Sequence, residues 1–243
     1  MTIRAVLFDL DDTLFAHRAA VDAGVVAHLQ AKGHIVADPA ATAATWHELE
    51  EHHYTRYLRG EVDFLEQRRH RARDLMRRFG AELADADADA WFTTYLDSYR
   101  AGWTLHEDAL RCLDELARRI PGVRFGIVTN GELEFQTSKL DAVVLSERMQ
   151  TVIASGDVGV RKPDAAIFTL ACERLGVRPE EAAMIGDRLR TDAIGAARAG
   201  LTGVWLDRHG SRPVDGDAAE AAEAGIPRIG SLDELPDLLA PTR

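Results

Sequence analysis

Ala5-Val6-Leu7-Phe8-Asp9-Leu10-Asp11-Asp12-Thr13 is the stretch from which the fold can be read. Four apolar residues run directly into three carboxylates and a hydroxyl. A short, continuously apolar run of this kind reads as a strand buried on both faces, as in a parallel sheet. Carboxylates crowded at its end disfavour one another's ionised forms. An ordinary turn carries no such cost, so the acidic end marks a chemical site.

From residue 103 onward, similar short runs recur at Phe125–Val128, Thr151–Ala154, Ala182–Ile185 and Gly203–Leu206. Amphipathic helical patterns separate them, at Glu107–Arg119, Glu132–Leu140, Asp164–Leu175 and Thr191–Ala199. This alternation predicts an α/β fold, a doubly wound parallel sheet with helices on both faces. Ligands of such sheets bind beyond the carboxyl ends of the strands. The polar residues gather at those ends. Asp9 and Asp11 follow the first strand, Thr129-Asn130-Gly131 the second, Lys162-Pro163 lies in the loop after the third, and Gly186-Asp187 with Asp192 follows the fourth.

Residues 16–102 read as helices without a convincing strand. Val21, Val25, Val26 and Leu29 form a stripe that stops at Gly33, and Asp38-Pro39 has the acceptor and proline of a second helix start. Trp46, Leu49, His53 and Tyr57 mark the buried face of that helix. Asp63 and Glu66 make a capping box ahead of Leu75, Met76 and Phe79, and Trp91, Phe92, Tyr95, Leu96 and Tyr99 mark a fourth helix. The expected domains are therefore an α/β core of residues 1–15 and 103–243 and an all-α insertion of residues 16–102. An insertion leaving the carboxyl edge of the sheet is well placed to cover the site. Tyr57, Arg59 and Glu61 around Gly60 read as a solvated turn, and His209–Gly225 as a surface connection before apolar patterning resumes over Ile226–Leu239.

Several features read as structural. Asp85, Asp87 and Asp89 open like a calcium loop, but Ala90 and Leu96 stand where such a loop needs glycine and glutamate. Carboxylates in the first turn of a helix complement its dipole without further function. The basic run Arg68–Arg78 reads as a solvated helix face. His47, His52 and His53 lack a carboxylate pattern that would complete a metal site. Cys112 and Cys172 sit in apolar helical patterns and read as reduced core thiols.

The chain has 243 residues, 46% of them hydrophobic and 28% charged, with a net charge of -11. That is ample for a core, and the acidic balance argues against nucleic acid and anionic membrane surfaces as partners. A small anionic substrate remains compatible with it, because the field of one pocket can oppose the global sign. No signal peptide opens the chain, and no run approaches the ~18 apolar residues of a membrane helix, so a cytoplasmic location is expected. Oligomeric state is not legible.

Carboxylates converging with a lysine on one sheet edge call for a hard divalent cation, and Mg²⁺ favours carboxylates, water and a substrate phosphate. Asp9 is then placed to act as a nucleophile and Asp11 to move the proton. Lys162 and the donors of Thr129, Asn130 and Gly131 are placed to hold phosphoryl oxygens.

Four segments, Phe8-Asp9-Leu10-Asp11-Asp12-Thr13, Val128-Thr129-Asn130-Gly131, Val160-Arg161-Lys162-Pro163 and Ile185-Gly186-Asp187 with Asp192, resemble in order the haloacid dehalogenase (HAD) superfamily, specifically its phosphatase branch. The resemblance implies a Rossmann-like core with a helical cap formed by residues 16–102. It implies Asp9 as nucleophile, Asp11 as general acid and base, and Thr129 and Lys162 on the phosphoryl group. Mg²⁺ would be held by the Asp9 side chain, the Asp11 carbonyl and Asp187, with Asp192 supporting it directly or through water. Asp12 would be structural. The segments around Gln136, Lys139-Leu140 and Gly156–Pro163 look most like N-acylneuraminate-9-phosphatase and pyrimidine nucleotidase relatives.

The expected activity is Mg²⁺-dependent hydrolysis of a small phosphorylated metabolite through an aspartyl-phosphate. Dehalogenase members of the family generally lack the second aspartate, so Asp11 disfavours 2-haloacid chemistry. A phosphomutase of the same family and a non-catalytic ligand-binding module are the alternatives.

Overall fold

In the computed structural model, which describes residues 2–240, the chain divides into two compact units. One is formed by the chain up to Ala16 and from Thr104 onward, the other by His17–Trp103.

Strand β1 (Ala5–Phe8) is buried along its whole length. The chain then enters the helical unit, α1 (His17–Ala31), α2 (Pro39–Leu58), α3 (Phe64–Arg78) and α4 (Asp85–Ala101). The starts of α2 and α3 follow from their caps. Asp38 Oδ1 accepts from the Ala41 N–H at 3.0 Å. Asp63 accepts from Leu65 and Glu66 while Glu66 accepts back from Asp63, which completes the capping box. Trp46, Trp91, Phe92 and Tyr95 pack together, with the Trp46 indole donating to the Tyr95 hydroxyl at 2.9 Å. Gly24 lets α1 approach α4 closely, since a Cβ there would lie 2.8 Å from Tyr99 Cα.

The acidic cluster of α4 serves this unit. Asp89 takes a bidentate pair from Arg69, and Asp85 pairs with Arg73. The basic run is correspondingly not a purely solvated face. Arg71 is buried, stacks over Trp46 and pairs with Glu50 at 2.9 Å. Its guanidinium is planar and weakly hydrated, which suits an aromatic face better than charge counting along the helix foresees. His53 finds a carboxylate in Asp74, 2.8 Å from its Nε2.

From α5 (Ala109–Arg119) the chain builds the rest of the sheet: β2 (Arg124–Thr129), α6 (Leu133–Ala142), β3 (Thr151–Ala154), α7 (Ser155–Val158), α8 (Ala165–Leu175), β4 (Ala182–Gly186), α9 (Gly195–Arg198), β5 (Thr202–Leu206), α10 (Asp215–Glu223), β6 (Arg228–Ile229) and α11 (Leu235–Leu239). All pairings are parallel, in the order β3-β2-β1-β4-β5-β6. This is the doubly wound α/β architecture that the apolar runs predict. Leu7, Val128, Ile153, Ile167, Phe168, Ala171 and Met184 form one core layer against it. Strand order reverses at β1, between β2 and β4, and there crevices open at the carboxyl edge.

Three segments differ from their reading in the sequence. Residues 209–225 contain α10, because its Ala and Glu residues are strong helix formers and Arg198 and Arg190 anchor Glu220 and Asp217. A sixth strand, only two residues long, pairs with β5 and gives no periodic signal. The expected helix over Thr191–Ala199 is a π-helical turn, Leu189–Ile194, running into α9. Among the described residues no helix is long and apolar enough to cross a membrane.

Candidate active site

Asp9 is the first residue past β1, and its N–H donates to the Ile185 carbonyl of the neighbouring β4 at 2.8 Å. β1 and β4 are in register to their ends, Phe8 opposite Ile185. The loop after β4 therefore emerges beside Asp9. Carboxylate oxygens of Asp9, Asp187 and Asp192 lie within 4.8 Å of one another. Lys162 Nζ, almost fully buried, sits 2.5 Å from Asp9 Oδ1 and 2.7 Å from Asp192 Oδ1.

Each of these side chains is aimed by a specific local device. Asp192 is presented by the π-helical turn, and its Oδ2 accepts from the Arg188 N–H at 3.0 Å. Wide turns of this kind are rare and recur at functional sites. Gly186 provides the space, for a Cβ there would overlap the Asp192 carboxylate. Gly186→Ala is expected to cost roughly 1–3 kcal/mol through forced displacement, read as a lower midpoint in urea unfolding. An unchanged midpoint would show that Asp192 has room to move.

Lys162 is positioned by Asn130. The Asn130 amide donates to the Lys162 carbonyl at 2.9 Å and accepts from the Lys162 N–H at 2.8 Å. The turn after β1 is held similarly. Leu10 O accepts from Leu14 and Phe15, Asp12 adopts a left-handed φ of 61°, and its N–H donates to Phe15 O. Thr13, fully buried, accepts from the Asp187 N–H at 3.1 Å and so joins this turn to the β4 loop. Behind it Arg208 donates to the Thr13 carbonyl and to both oxygens of Asp108.

The electrostatics follow from burial. Desolvation pushes Asp9 up to about 7, opposed by Lys162 and reinforced by Asp192 and Asp11. Desolvation, then Asp9 and Asp192, push Asp187 up to about 8. Burial pulls the Lys162 ammonium down, but the carboxylates of Asp192 and Asp9 more than offset it, leaving it above the usual lysine range. Fully ionised, the three carboxylates would carry more negative charge than one ammonium neutralises. Its donors are hard carboxylate oxygens, which fit Mg²⁺ and exclude a soft-metal preference.

Asp11 lies two residues beyond Asp9, and its carboxylate meets α6. Lys139 Nζ donates to Oδ1 at 2.6 Å and to Oδ2 at 2.9 Å, and Gln136 Nε2 donates to Oδ2 at 3.0 Å. The same Gln136 amide donates to Thr129 Oγ1 at 2.7 Å. Gly131 makes room for it, since a Cβ at Gly131 would lie 2.7 Å from Gln136 Nε2. Of the residues singled out in the sequence, Asp9, Asp187, Asp192 and Lys162 come together directly. Asp11 and Thr129 are joined through Gln136, and the Asn130 side chain is engaged on the Lys162 backbone. Thr13 and Gly186 stood in the quoted segments without an assigned role, Arg208 was missed, and Gln136 and Lys139 carried only the resemblance; none has a spacing in the sequence that reveals its partner.

The model of the haloacid dehalogenase-like hydrolases matches residues 3–200, and the chain belongs to that family. It is 31% identical to the ribulose-1,5-bisphosphate 5-phosphatase of Halopiger xanaduensis over 97% of this chain and 99% of that protein. It is 30% identical to the human N-acylneuraminate-9-phosphatase over 98% of this chain and 94% of that protein. In fold it is similar to the HAD hydrolase YfnB of Bacillus subtilis, with a TM-score of 0.80 at 24% identity, covering 98% of this chain and 99% of that one.

Proposed function

We propose that this chain is a Mg²⁺-dependent phosphomonoesterase that acts on a small phosphorylated metabolite through an aspartyl-phosphate on Asp9. The observation that carries the reading is the buried Asp9 carboxylate, held against Lys162 beside Asp187 and Asp192, with a second carboxylate, Asp11, two residues on. The names of the full-length relatives support phosphate-ester hydrolysis, and their different substrates support a core chemistry independent of substrate identity.

Asp9 Oδ attacks phosphorus while the bond to the leaving oxygen breaks, and Asp11, having taken up a proton from solvent, gives it to that oxygen. Water then attacks the aspartyl-phosphate, Asp11 takes the water proton, and phosphate departs with the Asp9 carboxylate restored. Lys162 stands against the charge of the phosphoryl oxygens. The Thr129 hydroxyl, which accepts from Gln136, keeps its own proton to donate to them. Asp9, the Asp11 carbonyl and Asp187 would hold Mg²⁺, with Asp192 supporting it. The cation would neutralise the carboxylates and the incoming phosphate dianion. Residues 16–102 would act as the cap that excludes water and selects the substrate.

The test is phosphate release, with Mg²⁺, across a panel of nucleotides, sugar phosphates and phosphorylated short acids. At least one class should yield stoichiometric phosphate and alcohol. Isomerised sugar phosphate without free phosphate would establish a mutase instead, and halide from 2-haloacids without phosphatase activity a dehalogenase.

A further inference from the structure

Lys139 is a buried cation in a helix whose core-facing positions would ordinarily be apolar. It is 2% exposed, and its ammonium lies 5.2 Å from the ring centre of Phe15 and 5.1 Å from that of Phe135. Burying an ammonium is costly unless it is paired, and a leucine or methionine would fill the same space without that cost. The pairing it makes is specific: both oxygens of Asp11, from a position 128 residues further along the chain. Gln136, one turn earlier on α6 and also buried, adds its own bond to Asp11 Oδ2.

We propose that Lys139 and Gln136 are positioning residues that clamp the Asp11 carboxyl group in the orientation required for proton transfer to the leaving oxygen and from the attacking water. The proposal rests on the phosphatase reading, in which Asp11 moves that proton. A carboxyl group on a turn has two rotatable side-chain torsions, and a proton donor works only within hydrogen-bond reach of its acceptor. Donors reaching Asp11 from two directions fix both torsions before substrate arrives, so the ordering is not incurred at each turnover. The aromatic faces of Phe15 and Phe135 hold the ammonium in turn, and a cation over such faces is further stabilised. Because the Gln136 amide also holds Thr129 Oγ1, one side chain sets the proton-moving carboxyl and a phosphoryl-binding hydroxyl in fixed relation. Gly131 is then needed as much for the room it gives Gln136 as for its own N–H.

The chemistry supplies a readout that separates positioning from a general loss of structure. As the Asp9–phosphorus bond forms and the ester P–O bond breaks, an alkoxide needs the proton from Asp11. The p-nitrophenolate ion is a weak base and leaves without it. The ratio kcat/KM reports the chemistry up to this first transfer and is independent of the later hydrolysis of the aspartyl-phosphate.

Lys139→Met is expected to lower kcat/KM for the best-hydrolysed alkyl phosphate of the panel by roughly 100-fold or more, and for p-nitrophenyl phosphate by less than about tenfold. Gln136→Leu should tilt the two substrates in the same direction by a smaller factor, and it carries the test if Lys139→Met does not fold. Equal losses on both substrates, or none on either, would overturn the clamp while leaving the phosphatase reading intact. A wild-type protein that hydrolyses neither substrate would overturn both together.

Discussion

Asp9→Asn is expected to release phosphate at least on the order of 10⁴-fold more slowly than the wild type, on every substrate. The amide oxygen of asparagine is a poor nucleophile, and no second carboxylate takes the position of Asp9 at the end of β1. The loss should appear in kcat and kcat/KM alike, because the missing bond belongs to the reaction and not to substrate capture. Stability should move the other way. Burial places the ionised Asp9 at a disadvantage, and its net shift is upward despite Lys162. A neutral isostere relieves that disadvantage, so without divalent cation the variant should melt no lower than the wild type at pH 8. A variant that kept more than a few per cent of activity would remove Asp9 from the nucleophile role. A variant that lost activity only by unfolding would leave the role undecided in kinetics, and the melting curve excludes that outcome directly.

Removal of divalent cation with EDTA is expected to stop turnover completely and, independently, to lower the melting temperature in a pH-dependent way. The sign follows from proton linkage. Asp9 and Asp187 are raised from an ordinary value of 3.8 to about 7 and about 8 in the folded chain. Between these values the native state binds more protons than the unfolded state, so the stability of the cation-free protein falls as pH rises from about 4 to about 8. A cation held by the same carboxylates substitutes for those protons. At concentrations near 100 times its Kd it stabilises by about 2.7 kcal/mol, a shift of roughly 5–10 °C for a chain of this size. The shift should be largest at pH 8 and shrink toward pH 5, where protons compete for the carboxylates. Calorimetry with Mg²⁺ and with EDTA at both pH values checks this, and a shift that is absent or equal at the two values would refute the cation site.

The legible part of this protein lies where residue type and local order carry the information. The run Ala5–Phe8 reads as a buried strand, and the carboxylates Asp9 and Asp11 at its end read as chemical. The alternation of later runs with helices implies parallel pairing, which sends every strand end to one edge. Helix starts at Asp38 and Asp63 are legible because a cap is a bond between near neighbours. Arg71 was hidden for the opposite reason: its partners Trp46 and Glu50 lie on another helix, and its own helix reads as a plain basic face. The helix α10 was hidden because its short run of helix formers lies among Gly210, Pro213, Gly216 and Gly225, which read as a loop.

At the site the same division holds. The sequence by itself determined which groups are available and in what order the strands present them: Asp9, Asp11, Thr129, Lys162, Asp187 and Asp192. Tertiary structure alone decided who meets whom. It set Lys162 between Asp9 and Asp192, locked Asn130 onto the Lys162 backbone, placed Thr13 against the Asp187 amide and delivered Lys139 to Asp11. Each of these contacts joins segments that follow different strands, and the space at Gly186 and Gly131 exists only once those segments are packed. Distances of this kind depend on strand order and register, which no local pattern of residues encodes.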